Sequence, residues 1–140
     1  MPDDPYDLDR FVLAQDLVYM QVRDELGRGR KASHWMWFVF PQIAGLGFSE
    51  RSQRYAISGR DEARAYLAHP ILGPRMRECV RLVLAVEGRS AHEIFGSPDD
   101  SKLHSSLTLF ADVSDDEIFN MALQEYFGGD LDVATMERLR

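Results

Sequence analysis

The sequence predicts an all-α fold, a compact single-domain orthogonal bundle of about six to eight helices. Three observations lead there. Apolar residues recur at three- and four-residue intervals along most of the 140 residues, and no segment sustains the alternation of a strand. Ser-x-x-Asp/Glu patterns stand ahead of several apolar-periodic stretches, where a serine and an acid can satisfy free helix N–H groups reciprocally. Glycines close several of those stretches, as they do at helix ends. The chain is long enough for one domain with a real core, and no linker, repeat or low-complexity segment divides it. Residues 1–140 therefore read as one globular domain, with Met1–Tyr6 a loose N-terminal tail.

The elements follow in order. Asp7 to Leu26 reads as one helix: Leu8, Phe11, Val12, Val18, Tyr19, Val22 and Leu26 share a face, and Asp9, Asp16 and Arg23 mark the wet one. Gln15 falls inside the apolar stripe, so its amide must be buried and partnered. Gly27 stops the helix. A basic loop, Arg28 to Lys31, leads to Ser33, read as the cap of a helix starting at His34. Ser58 with Asp61, Ser90 with Glu93, Ser97 with Asp100, and Ser114 with Glu117 fit the capping box. The implied helices run over 59–69, 74–87, 91–95, 98–112 and 115–127, with Pro98 in the first turn of its helix. A last short helix follows Asp132, and a brief extended piece is expected around Tyr55–Ile57.

Composition narrows the function. No apolar run approaches the ~20 residues that cross a bilayer. Met1 to Asp9 is acidic and has no basic start, so no secretory signal is read there. Cys79 is the single cysteine, which excludes an intrachain disulfide and an all-cysteine zinc site. On an apolar helix face it reads as an inert core thiol. The expected setting is cytoplasmic, with no membrane partner. A formal net charge of -7 opposes wide contact with a nucleic acid polymer but not a small anion held by a local basic cluster.

Two stretches carry candidate chemistry. In "GRGRKASHWMWFVFPQIAGLG", Lys31 and Ser33 stand at an expected helix start beside two other cations, a pattern suited to an anion. Trp35 or Trp37 supplies a stacking face, and His34 and Gln42 supply hydrogen bonds. The competing reading makes the aromatic run core and the basic loop a solvated turn. In "GSPDDSKLHSSLTLF", Lys102, Ser105 and Ser106 share a helix face, either lining a cleft or letting helices cross closely. Lys102 either binds phosphate or pairs with Asp99. His34, His69, His92 and His104 show no metal-ligand spacing, so neither a metal nor another cofactor is expected. His69, before Pro70, reads as a cap on helix-end carbonyls. No P-loop, nucleophile elbow or dinucleotide-binding glycine pattern appears.

The blocks "FVLAQ", "GRGRKASHWMWFVFPQIAGLGFS", "YAISGRDEARAYLAHPILGPRM" and "IFGSPDDSKLHSSLTLF" resemble the signature of the bacterial domain-of-unknown-function family numbered 1810, over about Leu8 to Leu139. The resemblance implies a mainly helical protein and no established activity. Some members bear the label "calpastatin", which implies protease inhibition, but the disordered repeats that would support it are absent here. The helical layout and "YLAHPILGPRM" are also similar to the NADAR family, linked to NAD and ADP-ribose metabolism and similar to N-glycosidases of phosphorylated ribosides. The glutamate and tryptophan signatures of that family are not evident here.

Two functions follow. The first is binding or hydrolysis of a small phosphorylated, nucleotide-like ligand. Lys31 and Lys102 hold phosphate, His34, Gln42, Ser33 and Ser105 add polar contacts, and Trp35 or Trp37 stacks on the base. If the protein is an N-glycosidase-like enzyme, Asp100 or Glu62 is by elimination the acid or base that stabilises an oxocarbenium ion. The second is a non-catalytic protein-interaction domain whose partner the sequence does not name.

Overall fold

The computed structural model describes residues 3–140 as ten helical segments, with an isolated parallel bridge between Ile43 and Ile57 as the extended pairing among them. The segments are α1 (Asp9–Asp16), α2 (Tyr19–Gly27), α3 (Met36–Val39), α4 (Glu50–Arg54), α5 (Arg60–Ala68), α6 (Leu72–Ala85), α7 (Ala91–Phe95), α8 (Asp99–Val113), α9 (Ile118–Phe127) and α10 (Val133–Leu139). Three of them, α3, α4 and α7, are single turns of four or five residues. The other seven carry the apolar periodicity, α1 and α2 together filling the one helix expected over Asp7–Leu26. Among the described residues no helix is long and apolar enough to cross a membrane.

The long α8 is the axis of the molecule. It packs against α5, α7, α9 and α10, and every residue from Ser105 to Phe110 is buried. The second long helix, α6, packs against α2, α5 and α9. Ser105, Ser106 and Thr108 supply the small side chains that let helices approach α8 closely. Ser105 Oγ donates to the Ser101 carbonyl at 3.1 Å and to Asp132 at 3.2 Å, and Thr108 Oγ1 accepts from the Asp132 amide at 3.0 Å. Asp132 in turn caps α10 through the Thr135 amide. Ser105, expected to face a ligand, therefore joins α8 to α10.

The expected first helix is broken. The chain leaves helical geometry at Val18 (φ -133°, ψ 1°), which separates α1 from α2. Both halves turn the expected stripe to the core, with Leu8, Phe11 and Val12 buried before the break and Val22 and Leu26 after it, so the periodicity runs through. Gln15 is buried as expected, and its amide donates to the Phe38 carbonyl at 2.7 Å and to the Tyr66 hydroxyl at 3.0 Å. Ahead of α1, the Asp4 carboxylate accepts from the amides of Leu8 and Asp9, so part of the expected tail caps a helix. Met1 and Pro2, the rest of that tail's start, lie outside the described residues.

Of the four expected capping boxes, one forms: Ser90 and Glu93 bond reciprocally at α7. At α5 the Ser58 amide goes to Glu62 instead and Gly59 takes the cap position. Pro98 takes the cap position of α8 without a side-chain bond. Ser114 closes a turn by accepting from the Asp116 amide, which moves the start of α9 to Ile118. His69 caps amides rather than carbonyls: its Nδ1 accepts from Ile71 and Leu72 at the start of α6. Gly73 is fixed by a close backbone approach, since a Cβ there would lie 2.1 Å from the Leu67 carbonyl oxygen at the end of α5.

Candidate ligand-binding site

The two segments that carry the candidate chemistry do meet. The Lys31 amide donates to the Ile94 carbonyl at 2.8 Å, and Lys31 Nζ lies 2.8 Å from Asp99 Oδ2. Lys102 Nζ reaches the other oxygen of Asp99 at 3.9 Å. What they build is a junction more than a hollow. The Lys31 side chain is only 6% exposed; its ammonium also donates to the Ser33 carbonyl and sits 4.9 Å from the centre of the Trp35 ring. Trp35 itself is sealed at 1% exposure, so it offers no stacking face.

Ser33 does not cap a helix. Helical geometry begins only at Met36, after Trp35, and that turn spans four residues without a side-chain cap. Ser33 and its neighbours are instead gathered by Glu25 on α2. This carboxylate, 1% exposed, accepts from the amides of Ala32 (2.7 Å) and Ser33 (3.0 Å), the Ser33 hydroxyl (2.6 Å) and Trp35 Nε1 (3.0 Å). Burial pushes its pKa up, but the hydrogen bonds from Ser33, Ala32 and Trp35 outweigh it and hold the group at about 2. The expected anion site at Lys31 and Ser33 is thus already filled by the protein's own acids, Glu25 and Asp99.

The remaining candidates scatter. Gln42 gives its main-chain carbonyl to the Ile57 amide at the bridge. Glu62 is buried, pairing with Arg10 of α1 at 2.9 Å and accepting from the Ser58 amide at 2.9 Å. Asp100 sits 3.2 Å from His92 Nδ1 and accepts from the Ser101 amide. The two expected catalytic carboxylates therefore serve different elements and have no partner in common.

His34 and Trp37 remain in the open. Trp37 is half-buried, with the Arg51 guanidinium 5.0 Å and the Lys102 ammonium 5.2 Å from its ring centre. Arg51 links it to a cavity of about 510 Å³ whose walls include His34, Phe38, Arg54 and Tyr55. Phe38 and Tyr55 meet with ring centres 5.4 Å apart, and the Arg54 guanidinium lies 5.6 Å from the Tyr55 ring. The Gln15 amide fixes the Phe38 carbonyl from behind. Arg51 and Arg54 project from α4, which starts at the Ser49 cap; Ser49 Oγ accepts from the Ser52 amide. Gly47 lets α4 close on the loop before it, since a Cβ there would lie 2.5 Å from Ser52 Cβ. Among the described residues neither guanidinium has a carboxylate within ion-pair distance. Glu50 is an acid on the same cavity. Two free forked cations beside two aromatic rings can hold a phosphate or carboxylate on a flat ligand.

Residues 5–139 match the family model described as "Protein of unknown function (DUF1810)". The chain belongs to the DUF1810 family. Its structure is similar to that of the conserved hypothetical protein Rv1873 from Mycobacterium tuberculosis, a crystal structure. The two are 55% identical over 97% of this chain and 98% of that one, with a TM-score of 0.96. No curated protein matches the chain.

The DUF1810 signature run from Ser33 to Phe40 is thus mostly scaffold, with Trp37 and Phe38 on its outer side. The residues that sequence reasoning missed are Arg51, Arg54 and Tyr55. The available signal was small: a serine at 49 able to cap one turn, and two arginines three apart on it.

Proposed function

We propose that this DUF1810 protein is a cytoplasmic binder of a small phosphorylated ligand that carries a flat ring. The observation that carries this reading is the pair Arg51 and Arg54, unpaired with any described carboxylate and set around a cavity walled by His34, Phe38 and Tyr55. The phosphate lies between the two guanidiniums and the ring packs on Phe38 and Tyr55. Arg51 then moves off Trp37, where Lys102 takes over as the cationic neighbour. The reading is one of binding. Glycoside cleavage needs a carboxylate at the sugar, and Asp100 and Glu62 are held by His92 and Arg10.

Thermal shift and calorimetry with adenosine 5′-monophosphate, ribose 5-phosphate and ADP-ribose test it. Hydrogen bonds to charged groups contribute about 1.5–3 kcal/mol each, so Arg51→Ala and Arg54→Ala each weaken binding by roughly 10- to 100-fold. Lys31→Ala lowers stability without a comparable change in affinity, because Lys31 is turned to Asp99. No stabilisation at millimolar ligand, or affinity indifferent to both arginines, refutes the reading.

A further inference from the structure

The cavity does not end at Tyr55. A second hollow of about 350 Å³ shares Ala14, Leu17, Arg54 and Tyr55 with it and continues along α1 to Leu13. Leu17 is 87% exposed and Leu13 61%. They stand one helical turn apart, about 5–6 Å along the axis. A lone exposed leucine needs no explanation, but two on successive turns beside a concave surface form an apolar patch with a shape. The charges sort along this trough. Arg51 is unpaired at one end and Arg54, also unpaired, stands where the two hollows join. At the other, Arg10 is consumed by Glu62 and by the carbonyls of Tyr6, Asp7, Arg54 and Ala56. Asp7 there and Glu50 at the cationic end are the acids on the two hollows. One end of the trough attracts an anion and the other rewards the removal of water from hydrocarbon.

We propose that the ligand is an anionic amphiphile: beside its phosphate it carries an unbranched apolar arm of several carbons that lies over Leu17 and Leu13. This rests on the phosphate-binding reading above and adds an arm to the ring-bearing ligand proposed there. The occupant is a free small molecule. The trough spans two short hollows along one turn of α1, the reach of a short chain.

Calorimetry with methyl, butyl and hexyl phosphate, all kept monomeric, reads the arm directly. A fully buried methylene is worth about fourfold in affinity. In an open trough that covers one side of the chain, about twofold per carbon is expected. Hexyl phosphate then binds at least roughly tenfold tighter than methyl phosphate. Leu13→Ser, at an exposed side chain that lines the second hollow and not the phosphate cavity, removes most of the gain from butyl to hexyl and leaves methyl phosphate within about twofold. Arg51→Ala weakens all three alike. Equal affinity for the three probes, with Arg51→Ala still weakening them, overturns the arm and leaves phosphate binding standing. So does binding of adenosine 5′-monophosphate with none of any alkyl phosphate, or a chain-length gain that survives Leu13→Ser. Failure of every phosphate compound ends both readings. Co-sedimentation with phosphatidic acid–phosphatidylcholine vesicles, without binding of monomeric hexyl phosphate, overturns the free amphiphile in favour of a membrane surface.

Discussion

Replacing Glu25 by Gln isolates what one buried charge does for this fold. The carboxylate accepts four hydrogen bonds from Ala32, Ser33 and Trp35 and ties the loop after α2 to that helix. Gln keeps the shape and can keep one oxygen on the three N–H donors while its amide faces the Ser33 hydroxyl, which can turn to accept. Only the charge is lost. Charge-assisted bonds are about twice as strong as neutral ones, so three weakened bonds cost about 3 kcal/mol. The depressed proton affinity that the same bonds produce leads to a similar figure. The carboxyl falls from its ordinary 4.5 to about 2 on folding, and each tenfold change in proton affinity corresponds to about 1.4 kcal/mol, again about 3 kcal/mol. A depressed folded pKa stabilises above the unfolded value and ceases to do so as pH falls through the folded one. The gap between wild type and Glu25→Gln is therefore full at pH 6–7, narrows below about 4.5 and closes near 2. Urea unfolding followed by tryptophan fluorescence at pH 7, 5, 4 and 3 measures it as a shift in midpoint at constant slope. A gap of constant size across that range would refute the argument, because the loss would then be steric. Comparing the two proteins at each pH cancels the other titrating acids.

Three further outcomes follow from the packing. Gly73→Ala forces a Cβ against the Leu67 carbonyl, a backbone atom that cannot step aside, so the urea midpoint should fall by the equivalent of about 3 kcal/mol or more. Ser106→Ala should be neutral or stabilising by about 1 kcal/mol, because Ser106 Oγ is the one buried side-chain polar atom without a partner among the described residues; Ser105→Ala, which breaks two bonds, should cost about 1 kcal/mol in the same denaturation assay. Cys79, 1% exposed and pushed up by burial to about 12, should resist iodoacetamide at pH 8 until urea unfolds the chain, as mass spectrometry of the alkylated protein would show.

Much of this was legible in the residues because periodicity reports burial. The buried amide of Gln15, the core thiol of Cys79 and the Ser90–Glu93 box all follow from position within a pattern. The failures share a cause: they turn on which of several local partners a group chooses. Ser58 loses its expected partner because Glu62 is held in place by Arg10 from another helix. Lys31 and Ser33 look like an anion site in sequence, but the acids that fill it come from Glu25, six residues before Lys31, and Asp99, sixty-eight after it. The aromatic run plays both roles that its composition allows. Only the fold divides it, sending Trp35 inward and leaving Trp37 half-buried. The break at Val18 is silent because both halves of the helix obey one apolar period. The two free arginines of the trough belong to α4, a turn too short for periodicity to register.

That turn has one more property. None of its five residues is buried, and it is held by the Ser49 cap, the close fit of Ser52 on Gly47, the Gln53 side-chain amide on the Phe48 carbonyl and the Arg10 guanidinium on the Arg54 carbonyl. Nothing in α4 is buried in the hydrophobic interior, so it is expected to open at lower cost than α8 and its neighbours. Its amides should then exchange with solvent faster than those of α8, and Glu25→Gln should leave their rate unchanged. A molecule that bridges Arg51 and Arg54 would slow that exchange, and protection confined to 50–54 would mark occupancy without any change in the rest of the protein.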